Sequence, residues 1–376
     1  MGPKTELKQI LLYMLKLGAT GFGGPIALVN YMEKELVERK KIVAPEEFKL
    51  GLALAQAAPG PLAGQMSIWL GYIKGGAWGA LLSGIAFVLP AFFIVLILSV
   101  FYVDYQGLPW VKKIFQGINP AVLAIMMIAS VRLSRRVLGV KKLLWAIFMC
   151  LAALTAVTRA EIAYAFLAAG LLGLFVYAPP KKQFPGSACL GSFFLGPLTW
   201  GAPAAQTLGS TFLFFVKTGA FVFGTGMAIV PFLYKGVVQD YRWLNDAQFL
   251  DAVAVSMITP GPLLITVAFI GYLAAGLAGA VLATIGIFTP VYFFTVIPAP
   301  YFKRYKDQPQ LKAFVDGITA AAVGALAGAV VLLIPQAVPN LKCAVIFLAS
   351  LILLLGSKFP DAVIVLAAGL AGLLLP

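Results

Sequence analysis

Apolar residues run through this chain in long blocks and not at alternating positions. Uninterrupted blocks at Trp78 to Tyr102, Ile114 to Val131, Leu143 to Val157 and Ile162 to Tyr177 are long enough, or nearly so, to cross a hydrocarbon core about 30 Å thick at about 1.5 Å per residue. They predict spanning helices. Two further blocks are interrupted: Leu7 to Tyr31 by Gly21-Phe22-Gly23-Gly24-Pro25, and Glu47 to Tyr72 by Ala58-Pro59-Gly60-Pro61. Glycine and proline at these points predict broken helices, which either cross or re-enter.

The pattern then repeats. Lys16, Gly18, Phe22, Gly23, Phe48, Pro59, Gly60 and Pro61 recur 201 residues later as Lys217, Gly219, Phe223, Gly224, Phe249, Pro260, Gly261 and Pro262. One residue is then lost, and Gly71-Tyr72, Pro90, Lys112, Gly117-Ile118, Lys142 and Glu161 return 200 later as Gly271-Tyr272, Pro290, Lys312, Gly317-Ile318, Lys342 and Asp361. Self-similarity at a fixed offset marks a duplication. The chain divides into a first transmembrane repeat (1–180), a linker (181–208) and a second repeat (209–376).

Loop charges orient the repeats. The segment Glu33 to Lys49 carries five basic residues, whereas its counterpart Tyr234 to Leu250 carries two, Lys235 and Arg242. The basic cluster Arg132, Arg135, Arg136, Lys141 and Lys142 is matched by Lys342 alone, while the weakly basic Tyr102 to Lys113 corresponds to Lys303, Arg304, Lys306 and Lys312. Basic residues favour cytoplasmic loops, so this reversal predicts an inverted repeat. The expected fold class is an all-α polytopic membrane protein whose two homologous halves have broken or re-entrant helices.

Composition narrows the chemistry. Of 376 residues, 61% are hydrophobic and 11% charged, against about a quarter charged in an ordinary soluble domain. No histidine is present, and Cys150, Cys189 and Cys343 are too widely spaced for a metal or redox pair. No metal, no cofactor and no enzymatic activity is expected. The N-terminal residues show no cleavage pattern of a removable leader. The net charge of +14 flanks spanning segments, which points to anionic lipid as a contact and away from nucleic acid. Arg132 to Lys142 reads as a cytoplasmic, lipid-facing anchor.

A break inside lipid leaves backbone polar groups without partners, at several kcal/mol each, unless it is buried in protein or faces a watery cavity. Two breaks per half, repeated at one spacing, suggest a site. Pro25 and Pro61 suit the first position of a helix, leaving the next amides free to meet an anion. Lys16 and Lys217 each stand seven residues before a Gly-Gly or Gly-Thr step, and if the breaks converge their ammonium groups would join there; the bland alternative is snorkelling to the interface. Gln56, Gln65, Thr259 and Thr266 are candidate pocket donors. Among carboxylates, Asp251 is preferred for proton coupling over Glu33, Glu161, Asp316 and Asp361, because it begins an apolar run close to Thr259.

These residues carry a resemblance. Lys16-Leu-Gly-Ala-Thr-Gly-Phe-Gly-Gly-Pro25, Ala55-Gln-Ala-Ala-Pro-Gly-Pro61 and Gly71-Tyr72, with Lys217 to Gly226, Trp243 to Phe249, Thr259 to Pro262 and Gly271-Tyr272, resemble the two halves of the long, two-domain chromate transporters. Leu28 stands where many members carry histidine, and Gly224-Thr225-Gly226 replaces the Gly-Gly-Pro of the first half. The resemblance implies a secondary active transporter that moves chromate, with sulfate as competitor, out across the cytoplasmic membrane on an ion gradient, the proton being the expected coupling ion. A sulfate or other oxyanion importer and a passive anion channel are the alternatives. The expected binding set is Lys16, Gly23, Gly24, Gln56, Gly60, Lys217, Gly224, Gly226, Thr259 and Gly261, with Asp251 for coupling. The sequence leaves the oligomeric state open, a homodimer included.

Overall fold

The computed structural model describes residues 3–158, 163–179, 208–222, 226–305, 308–356 and 359–374. Several expectations fall outside them: Glu161, Gly224, the linker apart from its last residue, and a further crossing between Ser187 and Ala205. Among the described residues the chain is helical, without strands. The first half comprises α1 (Pro3–Thr20), α2 (Gly24–Met32), a wide π-helical turn (Glu33–Arg39), α3 (Pro45–Ala57), α4 (Leu62–Tyr105), α5 (Pro109–Leu138), α6 (Lys142–Thr158) and α7 (Ala163–Tyr177). The second half repeats it as α8 (Leu208–Ala220), α9 (Val230–Tyr234), a π-helical turn (Lys235–Asp240), α10 (Asp246–Ile258), α11 (Thr266–Val296), α12 (Ala299–Tyr305), α13 (Pro309–Ala337), α14 (Leu341–Gly356) and α15 (Asp361–Leu374).

The interrupted segments re-enter. Tyr13 on α1 donates its hydroxyl to the carbonyl of Tyr31 at the end of α2, at 2.7 Å, so α2 runs back along α1 with residues 21–23 at the tip. Trp69 on α4 donates its indole N–H to the carbonyl of Glu47 near the start of α3, at 3.0 Å. Helices continuing in one direction would hold these two residues some 30 Å apart at about 1.5 Å per residue. Residues 58–61 are therefore the tip of a second hairpin.

Helix α4 itself folds over. At Gly75 and Gly76 the backbone leaves helical geometry, Gly76 adopting φ +58°. The arms on either side lie against each other through Gly71 and Gly79, and the Ser67 hydroxyl donates to the Ser83 carbonyl at 2.9 Å. Only residues without a Cβ let two backbones approach this closely. Ala275-Gly276 makes the same reversal in α11. Among the described residues, the longer arms of α4 and α11, together with α5 and α13, supply four helices long and apolar enough to cross a membrane. Helices α6 and α7, expected as spanning, are shorter at 17 and 15 residues.

Equivalent helices run in opposite directions. Lys141, just beyond the end of α5, pairs with Asp316 near the start of α13 at 2.7 Å. On α11 Phe288 lies beside Gly64 near the start of the inward arm of α4, and Tyr292 donates its hydroxyl to the Ala77 carbonyl at the far end of that arm, at 3.0 Å, so the outward arms of α4 and α11 are antiparallel. This is an inverted repeat. The halves also interlock: α14 and α15 pack on α5 of the first half, with Gly372 against Gly117, while α6 and α7 pack on α13 of the second, with Gly173 against Gly317.

Candidate functional site

The four hairpin tips meet between the halves, and the backbone joins them. Gly60 donates its N–H to the carbonyl of Val222 at 2.6 Å, and Gly261 donates to the carbonyl of Gly21 at 2.9 Å. Since 261 is 60 plus 201 and 222 is 21 plus 201, these are one interaction made twice by the internal symmetry. Gly60 sits at φ +145° and Gly261 at φ +99°, a region that side chains with a Cβ avoid. Carbonyls freed by the first-half tip are met by Gln65, whose amide donates to Pro59 at 2.8 Å. The cost of the breaks is thus offset largely by bonds between halves and within tips.

One crossing encloses a cavity of about 220 Å³. Its walls are the first tip of the first half (Gly21 to Ile26), the second tip of the second half (Thr259, Gly261, Leu263), Met227, Ser256 and Met257, a stripe of α5 (Ala129, Arg132, Leu133) and the start of α15 (Asp361, Ala362). Gly23 and Gly24, at φ +110° and +78°, turn the chain into α2, which has Pro25 in its first turn and no side-chain cap. Its first amides and the positive end of its dipole therefore favour an anion at this wall. Arg132 donates one guanidinium N–H to the Leu354 carbonyl at 2.7 Å, which fixes a cation on the cavity wall near Asp361.

A second cavity, of about 390 Å³, adjoins the first, Gly21 and Phe22 lining both. Its walls carry Lys16, Lys34, Arg39 and Glu35 beside Tyr13 and Tyr31. Arg39 and Lys40 pair with Glu35 at 3.3 and 3.5 Å. Partial burial works to raise the Glu35 carboxyl, but these two cations outweigh it and hold the group below the ordinary carboxylate range. Lys16 and Lys34 have no ion-pair partner among the described residues, leaving this vestibule basic.

The structure sorts the expected site residues. Gly23, Gly24, Thr259 and Gly261 line the break cavity. Gly226, at φ +79°, lies beside Leu264 and one residue from the wall at Met227. Gly60 does not line the cavity: its N–H is already taken by Val222, so it joins the halves at the other crossing. Gln56 is exposed and lies off the wall.

The two lysines do not converge. On α1 the inward stripe is Met14, Leu17 and Gly18, and on α8 it is Phe214, Phe215, Thr218 and Gly219. Lys16 and Lys217 fall off these stripes and are exposed. Lys16 reaches the vestibule and Lys217 neither cavity. Arg132 was the residue missed. Read with its neighbours as a lipid-facing anchor, it is exposed and also lines the cavity, one turn from Ala129 on α5, and Lys141 of the same cluster is committed to Asp316. The available signal was the repeat itself, since Arg132 aligns with Leu332.

Asp251 is buried off the cavity wall. Tyr102 donates its hydroxyl to one carboxylate oxygen at 2.7 Å and Asn119 its amide to the other at 3.0 Å. The bonds tie α10 of the second half to α4 and α5 of the first. Leu28, at the position of the family histidine, is buried against Gly21, where a Cβ would strike it; the smallest residue at 21 and an apolar one at 28 fit together.

The family profile described as chromate transporter matches residues 8–174 and 209–373, both halves of the architecture above. The chain belongs to the chromate transporter family. Its members are membrane transporters and not enzymes. The chain is 49% identical to the chromate transport protein of Cupriavidus metallidurans, over 99% of this chain and 94% of that protein. It is 50% identical to a probable chromate transport protein of Synechococcus elongatus (99% and 96%) and 32% identical to the chromate transport protein of Pseudomonas aeruginosa (98% and 92%). No solved structure matches this transporter.

Proposed function

We propose that this protein moves chromate across the cytoplasmic membrane as a secondary active transporter, with sulfate competing for the same site and outward movement giving chromate resistance. The observation that carries this reading is the cavity between the halves, where the uncapped start of α2 and the Arg132 guanidinium face one space. A small tetrahedral dianion meets there a helix N-terminus and a fixed cation, while Ser256 and Thr259 on the same wall donate their hydroxyls to the carbonyls of Val253 and Val255. The basic vestibule collects the anion, and Phe22 stands between vestibule and cavity. Rocking of one half against the other alternates access, as inverted repeats favour.

Proton coupling is assigned to Asp251. It is a buried carboxylate with no cation paired to it among the described residues. Protonation would weaken the bonds from Tyr102 and Asn119, which hold the second half's re-entrant helix to the first half. The test uses purified protein in liposomes under an imposed pH gradient, following labelled chromate with sulfate as competitor. Accumulation beyond equilibrium, reduced by sulfate, is the expected result. Movement only down the chromate gradient would replace the transporter with a channel, and flux of sulfate without chromate would replace the substrate.

A further inference from the structure

The internal symmetry makes two crossings of hairpin tips, one at Gly261–Gly21 and one at Gly60–Val222. Their backbones match, but their side chains do not. At the first crossing the cavity presents Arg132, Ser256 and Thr259. By the offsets of 200 and 201, the second crossing has Leu332, Ala55 and Ala58 at the same places. Every polar side chain of that trio has an apolar partner in the repeat.

The acid at the start of the last helix departs from this pattern. Asp361 on the cavity wall corresponds in sequence to Glu161, so the sequence repeats the carboxylate but not the guanidinium, Arg132 aligning with Leu332. The buried polar contact above the cavity is one-sided too: Asp251, Tyr102 and Asn119 correspond to Leu50, Phe302 and Thr319. Two separate clusters have thus kept their polar chemistry on the same side.

We infer that the transporter binds its oxyanion at the Gly261–Gly21 crossing alone, and that Arg132 is the cation that recognises it. The second crossing is a structural joint. Arg132 suits the task because its Leu354 contact uses one edge of the guanidinium and leaves donors for an oxyanion. Between cycles its charge offsets Asp361 on the cavity wall. This inference rests on the transport reading given above.

The test measures chromate flux by the full-length protein in liposomes, with folded yield followed by size-exclusion chromatography. Arg132→Leu, which copies the second crossing, is expected to raise KM for chromate at least tenfold, and Arg132→Lys to recover part of the loss. Should Arg132→Leu fail to assemble, Arg132→Gln keeps length and polarity without charge and is expected to show the same rise. Leu332→Met and Ala55→Ser, at the second crossing, are expected to leave KM within twofold. A folded Arg132→Leu or Arg132→Gln protein with unchanged KM overturns the inference alone, as does an equal KM rise in the second-crossing variants. A wild-type protein that moves neither chromate nor sulfate overturns the transport reading and the inference with it.

Discussion

Gly261 donates its backbone N–H to the carbonyl of Gly21 at 2.9 Å, so the tip of one half is held by the tip of the other. The contact tolerates no side chain, because φ is +99° and a Cβ would lie 2.9 Å from that of Ala91 and 3.1 Å from the Gly18 carbonyl. Gly261→Ala is expected to lose most transport and to cost about 1 to 3 kcal/mol of stability through backbone strain. Thermal unfolding in detergent, alongside flux, checks this. An alanine variant with wild-type melting and flux would remove the tip contact from the mechanism.

Asp251→Asn is expected to separate exchange from coupling. The amide keeps the packing but carries no titrating proton. Counterflow exchange of chromate should survive while the response to an imposed pH gradient disappears. If gradient-driven accumulation persists in Asp251→Asn, the coupling proton resides elsewhere.

Tyr102→Phe removes the donor to the same carboxylate and leaves a buried acceptor short of one bond, a loss of about 1 to 3 kcal/mol. The double variant with Asp251→Asn should lose less than the sum of the two single variants, because both remove one interaction. Additive losses would mean that the hydroxyl stabilises the fold by packing alone.

The vestibule acts at a distance. Lys16→Ala with Lys34→Ala should raise KM without changing kcat, and the effect should shrink as salt is added, since exposed charges are screened within about 8 Å at physiological ionic strength. Lys217→Ala, whose side chain reaches neither cavity, should stay within twofold of wild type. Glu35 is held below the ordinary carboxylate range, so the part of its pairing with Arg39 and Lys40 that stabilises the fold is present above its unfolded value and lost only as pH falls through its lowered one. Its charge is therefore constant from about pH 5 to 8. A transport rate that varies across that window while Glu35→Gln leaves the profile unchanged excludes the vestibule carboxylate as the cause.

Cysteines placed at Glu38 and at Asp240, on the two π-helical turns, should label from opposite faces of the membrane in a background free of Cys150, Cys189 and Cys343. Labelling from one face would contradict the antiparallel pairing of α5 with α13.

Much of this architecture was legible in the sequence because it depends on residues with few structural roles. Gly21 to Pro25 and Pro59 to Pro61 announce breaks whatever surrounds them, and recurrence at 201 announces a duplication. Charge reversal between Glu33–Lys49 and Tyr234–Leu250 gave the inversion. Re-entry was not legible, since a broken helix that crosses and one that turns back have the same apolar length; the contact of Trp69 with Glu47 decides it. Side-chain direction was the other loss. Lys16 and Arg132 are both exposed and each stands near a break or a helix end, and only the folded arrangement shows that Arg132 lines the cavity and Lys16 the vestibule.

The glycine contacts Gly117–Gly372 and Gly173–Gly317 set each half's last helices around the long helix of the other. Neither half closes its own core. A chain holding one half alone would leave its long helix uncovered and would need a second, oppositely inserted half to cover it. Holding both halves in one chain supplies that partner and lets the two crossings carry different residues.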